Sequence, residues 1–178
     1  MKHLLILLAW MLPHQADGTL FACKNAKVSL YSKAPLEDIR ATSATAASVY
    51  KATTGEVAFN VPIRSFKFQK SLMQEHFNEN YMESDKFPNA TFKGKVQSLP
   101  DLTKDGTYAV KATGDLTVHG VTQNRTIDGA FTVKGGAVSF NSEFTVKCVD
   151  HKIDIPKLVF QKIAESISVS VTATYIKN

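Results

Sequence analysis

Apolar and polar side chains alternate with a period of two along most of the chain beyond its first twenty residues. The clearest run begins at Tyr108 and continues to His119. One face of this run carries Tyr108, Val110, Ala112, Gly114, Leu116 and Val118, and the other carries Lys111, Thr113, Asp115, Thr117 and His119. Such alternation predicts a strand with one buried face and one solvated face.

The same pattern recurs on both sides of this run. After a turn near Gly120, further strands are predicted over 127–133, 138–148 and 166–175. In the first half, one strand is predicted to start at Val28 and Leu30, and others to cover about 39–51, 57–63 and 92–96. Gly135-Gly136 is a strong hairpin signal, and Thr54-Gly55 marks another turn. The sequence therefore predicts an all-β domain of about eight antiparallel strands, arranged as a sandwich or an up-and-down barrel.

One segment departs from the period of two. From Ser71 to Met82 the apolar residues are spaced by four and five, which favours a short amphipathic helix. Ser71 with Gln74 three residues later forms a capping-box pattern at its start. A second and weaker helical pattern covers 156–164, so we expect one or two short helices beside the strands.

The N-terminus predicts export from the cytoplasm. Lys2 and His3 precede nine uncharged residues, Leu4 to Leu12, which is too short to span a bilayer and is typical of a signal peptide. We expect cleavage after Ala16, a domain over 17–178, no transmembrane segment, and a periplasmic or secreted protein. The stretch Leu20-Phe21-Ala22-Cys23 resembles a bacterial lipobox, so a lipid anchor on Cys23 is the less favoured alternative.

The chain has 178 residues, a formal net charge of +5 and two cysteines. Its basic residues are dispersed and form no run or motif, so no nucleic-acid partner is predicted. In an exported protein Cys23 and Cys148 could form a disulfide, although two buried thiols are equally compatible with the sequence.

Catalytic signatures are missing from the sequence. It holds no HExxH, GxSxG or GxGxxG motif. His76, His119 and His151 would follow the predicted signal peptide, and a metal enzyme built on them is the least favoured alternative. We expect no enzyme, no cofactor and no metal.

The inward positions combine large aromatic residues with glycine, alanine and serine. A barrel of eight strands is just wide enough to be filled by its own side chains or to hold one slender ligand. Small inward residues favour a ligand, but glycines also ease the curvature of a barrel. From the pattern alone both outcomes remain open.

Two blocks resemble a known family. Met73-Gln74-Glu75-His76-Phe77, continuing through Phe87-Pro88-Asn89-Ala90-Thr91-Phe92, and the later block Gly114-Asp115-Leu116-Thr117-Val118-His119-Gly120-Val121-Thr122 are similar, in this order, to signature blocks of the bacterial YceI-like, polyisoprenoid-binding family. The sequence departs from that family at Gln123-Asn124-Arg125, where the family prefers an apolar continuation, and at 148–152, where the family has an arginine followed by Phe-Gly.

The resemblance implies an antiparallel, eight-stranded, lipocalin-like barrel with a long apolar pocket for an isoprenoid or another lipid, and with the helix over the barrel near its mouth. The expected ligand-binding residues are Phe59, Val61, Ile63, Met73, Phe77, Phe92, Tyr108, Leu116, Val118, Gly129, Phe131, Phe140, Phe144, Val169 and Val171.

We therefore expect non-catalytic lipid binding by a carrier or sequestering protein of the cell envelope, either monomeric or homodimeric. The main alternative is a structural or stress-related envelope protein whose barrel is closed by Phe131, Phe140 and Phe144. Gly129→Leu is expected to block the ligand and spare the fold.

Overall fold

The computed structural model describes residues 19–33, 38–155 and 165–177. Nine strands run in chain order: β1 Leu20–Ser32, β2 Ile39–Lys51, β3 Glu56–Pro62, β4 Lys67–Phe68, β5 Asn89–Val96, β6 Gly106–Val118, β7 Val121–Lys134, β8 Ala137–Lys147 and β9 Ser166–Lys177. Eight of them form a closed antiparallel barrel in which each strand pairs with its neighbours along the chain, and β1 closes the circle by pairing with both β2 and β9. The two-residue β4 adds to the edge of β2. The prediction of an eight-stranded antiparallel barrel is confirmed.

The barrel has two different ends. The β2–β3, β5–β6 and β7–β8 connections lie at one end, which we call the hairpin end. The other, the helix end, carries a 3₁₀ turn at Ile63–Ser65, helix α1 at Ser71–His76 with a π-helical continuation over Phe77–Tyr81, and a 3₁₀ turn at Cys148–His151. Among the described residues no helix has the length and apolarity needed to cross a bilayer.

The alternating pattern is realised as predicted along most strands. In β6 the side chains of Val110, Ala112, Leu116 and Val118 are buried, and Lys111 and Asp115 between them are exposed. The Gly135-Gly136 turn has positive φ at both residues, 56° and 82°, as a type I′ hairpin requires. The hydrophobic periodicity therefore fixes which face of each strand turns inward.

Three local predictions are wrong. Strand β1 starts at Leu20 rather than near Val28. Register shifts between Cys23 and Val28 break the alternation there, so the sequence pattern does not indicate the first part of the strand. Ile63 is buried but lies in the 3₁₀ turn after Pro62 rather than in a strand. The capping box does not form: Lys70 is the N-cap of α1 and makes no side-chain cap bond.

The helix itself is confirmed. The Gln74 side chain accepts a hydrogen bond from the Phe68 amide at 3.4 Å instead of capping α1. The second helical pattern, over 156–164, lies outside the described residues.

The two cysteines do not form a disulfide. Both are free and buried. Cys23 pairs with Ser48 near the hairpin end, whereas Cys148 follows β8 at the helix end. A disulfide requires Cα atoms within about 7 Å, and the length of the barrel wall separates these two residues.

Candidate functional site

The hairpin end of the barrel interior is filled by aromatic side chains. The Phe131 ring is 4.8 Å from Tyr50, 5.0 Å from Phe140 and 6.1 Å from Tyr175, measured between centroids. Phe21 also packs against Tyr50, with 6.5 Å between the ring centroids. These rings form a floor that closes one end of the barrel.

Hydroxyl groups in this floor are removed from water. The Tyr175 and Ser48 hydroxyls share a hydrogen bond of 2.7 Å, while the buried Tyr50 hydroxyl has no partner among the described residues. Burial raises the pKa of Tyr50 to about 12 and raises the pKa of Tyr175 further still. Both phenols therefore stay neutral across the physiological range.

Above this floor lies an apolar cavity of about 180 Å³. It extends toward the helix end, where Phe66, Phe77, Met82 and Ile153 line it. None of the described residues lining it carries a formal charge. A cavity of this character excludes ionic ligands and favours hydrocarbon.

The helical segment is held over the cavity by aromatic contacts. The ring of Phe77 lies 5.7 Å from Phe66 and 4.9 Å from Phe68. Because Phe77 and Met82 both line the cavity, the segment that follows α1 forms part of its wall, as the predicted position of the helix near the mouth requires.

Most residues predicted to bind ligand line this cavity. Phe59, Val61, Ile63, Phe77, Phe92, Leu116, Val118, Gly129, Phe131, Phe140, Phe144, Val169 and Val171 all do so. Their contact with a ligand stays a prediction.

Met73 and Tyr108 do not belong to the cavity lining. Tyr108 lies near the hairpin end, and its hydroxyl donates to the Lys104 carbonyl at 2.9 Å. Met73 lies on α1, one turn before Phe77, and is half-buried. Both residues are partly buried, as their apolar pattern predicts. Their positions along β6 and α1, however, place their side chains beside the cavity and not in its lining.

Several lining residues were not predicted. Val28 and Leu30 line the cavity from β1, and their alternation is the signal that could have included them. Met82 falls within the predicted helix. Ile153 follows the 3₁₀ turn at Cys148–His151 and has no periodic pattern around it, so nothing in the sequence indicates its place.

The expectation for Gly129→Leu changes with the geometry. A Cβ on Gly129 would lie 2.6 Å from the Phe140 ring and 3.0 Å from the Asn141 carbonyl oxygen. A leucine would therefore displace Phe140 and crowd β8, so we expect this substitution to destabilise the barrel as well as to fill the cavity.

The three histidines do not assemble a metal site. His119 Nδ1 lies 3.2 Å from the His151 carbonyl oxygen, and His151 Nδ1 donates to the Val121 carbonyl at 3.0 Å. His76 is exposed on α1. Across the described ranges no three His, Cys, Asp or Glu side chains converge in a way that could hold a metal ion.

Three solved structures share this architecture. A polyisoprenoid-binding domain from Saccharophagus degradans, implicated in plant cell wall breakdown, superposes with a TM-score of 0.76 at 12% identity over 90% of this chain and 99% of its own. BcnA of Burkholderia cenocepacia gives 0.71 at 14% identity over 85% and 96%, respectively. A YceI protein of Campylobacter jejuni gives 0.63 at 16% identity over 80% and 88%. At these identities the likeness establishes the fold.

No curated protein matches the sequence as a whole. The model of the YceI-like domain matches residues 18–175, which include every described strand except the last two residues of β9. This chain therefore belongs to the YceI-like family.

Proposed function

We propose that this protein binds an isoprenoid or another long-chain lipid in the barrel cavity, and carries or sequesters it in the cell envelope without catalysing a reaction on it. The observation that carries the proposal is the uncharged, apolar cavity between the aromatic floor and the helical segment. The similar Saccharophagus domain, described as polyisoprenoid-binding, supports the same ligand class.

The size of the cavity favours a ligand over a filled barrel. An engineered apolar cavity of roughly 150 Å³ stays dry and binds benzene, and the cavity here is about 180 Å³. Burial of one CH₂ group contributes about 0.8 kcal/mol, so one five-carbon isoprene unit contributes about 4 kcal/mol before the costs of association.

The structural alternative required the interior to be closed by three phenylalanines. Phe131 and Phe140 both belong to the floor, and Phe131 is 1% exposed. Phe140 and Phe144 are half-buried, and both line the open space above the floor. This arrangement leaves room for a slender chain and speaks against a plugged barrel.

Release into the periplasm or the medium is part of the proposal. Its support is the sequence pattern of a signal peptide over 1–16. A lipid anchor on Cys23 would remove the first three residues of β1, including buried Phe21, and would place the lipid on a side chain that is 3% exposed. These observations support a protein that carries no lipid anchor on Cys23.

Native mass spectrometry tests lipid binding directly. Protein isolated from its own envelope under mild extraction is expected to carry a lipid adduct, and delipidated protein is expected to take up farnesol, geranylgeraniol or solanesol. A protein that shows its own mass alone and takes up none of these alcohols would contradict the proposal.

A further inference from the structure

Four aliphatic side chains form a row on the outside of the barrel near the hairpin end. Val49 of β2 pairs with Ala58 of β3 and with Ala22 of β1, and Ala22 pairs in turn with Ile176 of β9. With neighbouring strands about 4.8 Å apart, this aliphatic row is about 14 Å long. Val49 is 45% exposed and Ile176 is 72% exposed, so the row presents apolar surface to solvent.

A third exposed aliphatic side chain lies at the same end. Leu99 is 50% exposed, and a Cβ on Gly55 would lie 2.8 Å from its Cδ2 atom. Leu99 therefore rests on the β2–β3 turn, beyond the end of β2 that carries Val49. The exposed apolar surface extends from the barrel wall to the hairpin end.

Lysines surround the aliphatic row. Lys93 pairs with Ala58 and extends the row by one strand; Lys51 lies two residues beyond Val49 on the same face of β2. Lys24, Lys95 and Lys177 are exposed at the same end. Within the described part of the chain, none of these five amines has a carboxylate within 4.0 Å.

Acidic residues offset part of this charge. Glu56 stands opposite Lys95, and Asp115 stands opposite Lys93, on the same outer face of the sheet. Asp101 forms an ion pair with Lys104 at 3.1 Å, while Asp105, whose oxygens accept from the Gly135 amide at 3.0 Å, keeps its negative charge. Five lysines therefore face three carboxylates that have no ion-pair partner within 4.0 Å among the described residues. The surface around the aliphatic row therefore combines exposed apolar side chains with an excess of positive charge.

We infer that this surface docks the protein on an anionic lipid bilayer. Aliphatic side chains can enter the headgroup boundary while lysines around them meet anionic headgroups. Lysine is depleted in protein–protein interfaces, which makes a second protein the poorer fit. The surface is separate from the cavity, so the inference goes beyond the proposed function and does not depend on which lipid the cavity holds.

Vesicle sedimentation tests this inference. The purified protein is expected to bind vesicles that mix phosphatidylglycerol with phosphatidylcholine, to bind pure phosphatidylcholine far more weakly, and to be released by high salt. Replacement of the lysines around the row by glutamine should weaken binding to the mixed vesicles by about fivefold for each lysine. The test variant is Val49→Ser with Lys51→Gln and Lys93→Gln, and Ile176→Ser tests the apolar part alone.

The helix end offers a matched control. Val149 is 75% exposed between Lys147 and Lys152, and Asp150 and Asp154 lie beside them in the sequence. Val149→Ser with Lys147→Gln and Lys152→Gln makes the same chemical changes on the other end and should leave vesicle binding unchanged. All variants keep the same N-terminal segment, so differences in vesicle binding between them come from the substituted surfaces.

Three results would overturn the inference. The first is equal vesicle binding by the wild type and the row variants, and the second is an equal loss of binding in the helix-end variant. The third comes from sedimentation equilibrium, which tests whether a second copy of the chain covers the row. If Ile176→Ser converts a dimer into a monomer and leaves vesicle binding intact, the row is an interface between two copies of the chain and not a bilayer-docking surface. Circular dichroism verifies that each variant is folded.

Discussion

His119 Nε2 lies 2.7 Å from Glu83 Oε2, and both residues have left-handed backbone conformations, with φ of 51° and 41°. Glu83 follows the helical segment that supplies Phe77 and Met82 to the cavity wall. His119 lies in the turn between β6 and β7, and its Nδ1 atom faces the His151 carbonyl. One imidazole ring therefore joins three segments at the helix end.

Replacement of His119 should loosen this end of the barrel. His119→Ala loses both ring contacts and places alanine in a left-handed conformation, so we expect a loss of about 2 kcal/mol or more in unfolding free energy. His119→Asn tolerates the backbone and isolates the ring contacts. Denaturant unfolding measures the total effect, and faster hydrogen exchange in 71–82 and 148–152 should accompany it. An asparagine variant with wild-type stability and exchange would contradict this role.

The two tyrosines of the cavity floor predict opposite mutational effects. The Tyr50 hydroxyl is buried without a partner in the described part of the chain, so Tyr50→Phe should be neutral or stabilising by up to about 1 kcal/mol. Tyr175→Phe removes the bond to Ser48 and leaves that buried serine unpaired, which should cost about 1–3 kcal/mol. Thermal and denaturant unfolding compare the pair. Equal destabilisation by both substitutions would disprove the difference in hydrogen bonding.

The same tyrosines predict weaker stability in alkali. Burial raises the pKa of Tyr50 from 10.0 to about 12, so the folded protein keeps a proton that the unfolded chain releases. The contribution of neutral Tyr50 to the unfolding free energy is complete below pH 10. It is lost as the pH rises toward 12, by about 1.4 kcal/mol per pH unit. Unfolding free energies measured across that window should fall, and Tyr50→Phe should make the slope shallower. An unchanged slope would show that Tyr50 does not carry the effect.

Two glycines in hairpin turns separate backbone strain from a steric clash. Gly120 and Gly136 both have positive φ, 70° and 82°. A Cβ on Gly120 would lie 2.4 Å from the Phe87 ring, whereas a Cβ on Gly136 meets nothing within 4 Å. Gly136→Ala should lose about 1 kcal/mol from strain alone, and Gly120→Ala clearly more. Denaturant midpoints compare them, and equal losses would mean that Phe87 yields without cost.

The strands could be predicted because burial on one face imposes a period of two that no other element imitates. The alternation from Tyr108 to Val118 falls within β6 and ends where that strand ends. The start of β1 could not be predicted, since its inward residues Cys23 and Ala26 are three positions apart across a register shift. The local pattern carries no information about the pairing of β1 with β2 and β9, which continues on both sides of this irregularity.

The site was predicted less completely than the fold. Inward residues in the middle of strands, such as Phe92 and Leu116, line the cavity as their alternation indicates. Tyr108 shares a face with Leu116, but its height along the barrel places it outside the cavity. Ile153 lines the cavity through a tertiary contact of a non-repeating segment. The side of the strand on which a residue lies can be predicted from the local sequence. Its position along the barrel axis and the packing of loops depend on long-range contacts.

Filling the cavity should remove lipid binding without unfolding the barrel, and Ala90 is the position that tests this. It is half-buried, lines the cavity from β5 and pairs with Val61 of β3. Ala90→Leu places a larger side chain in open space, so we expect uptake of geranylgeraniol to fall at least tenfold while the unfolding midpoint changes little.

Ala109→Leu is the matched control, because Ala109 is exposed on the outer face of β6 and the same substitution there leaves the cavity untouched. Titration followed by native mass spectrometry measures both variants. Unchanged uptake by Ala90→Leu, in a protein that remains folded, would mean that lipid binds somewhere other than this cavity. Reduced uptake by Ala109→Leu would instead point to the outer wall. Loss confined to Ala90→Leu identifies the interior of the barrel as the binding site, since both variants add the same side chain, one on the inner and the other on the outer side of the wall.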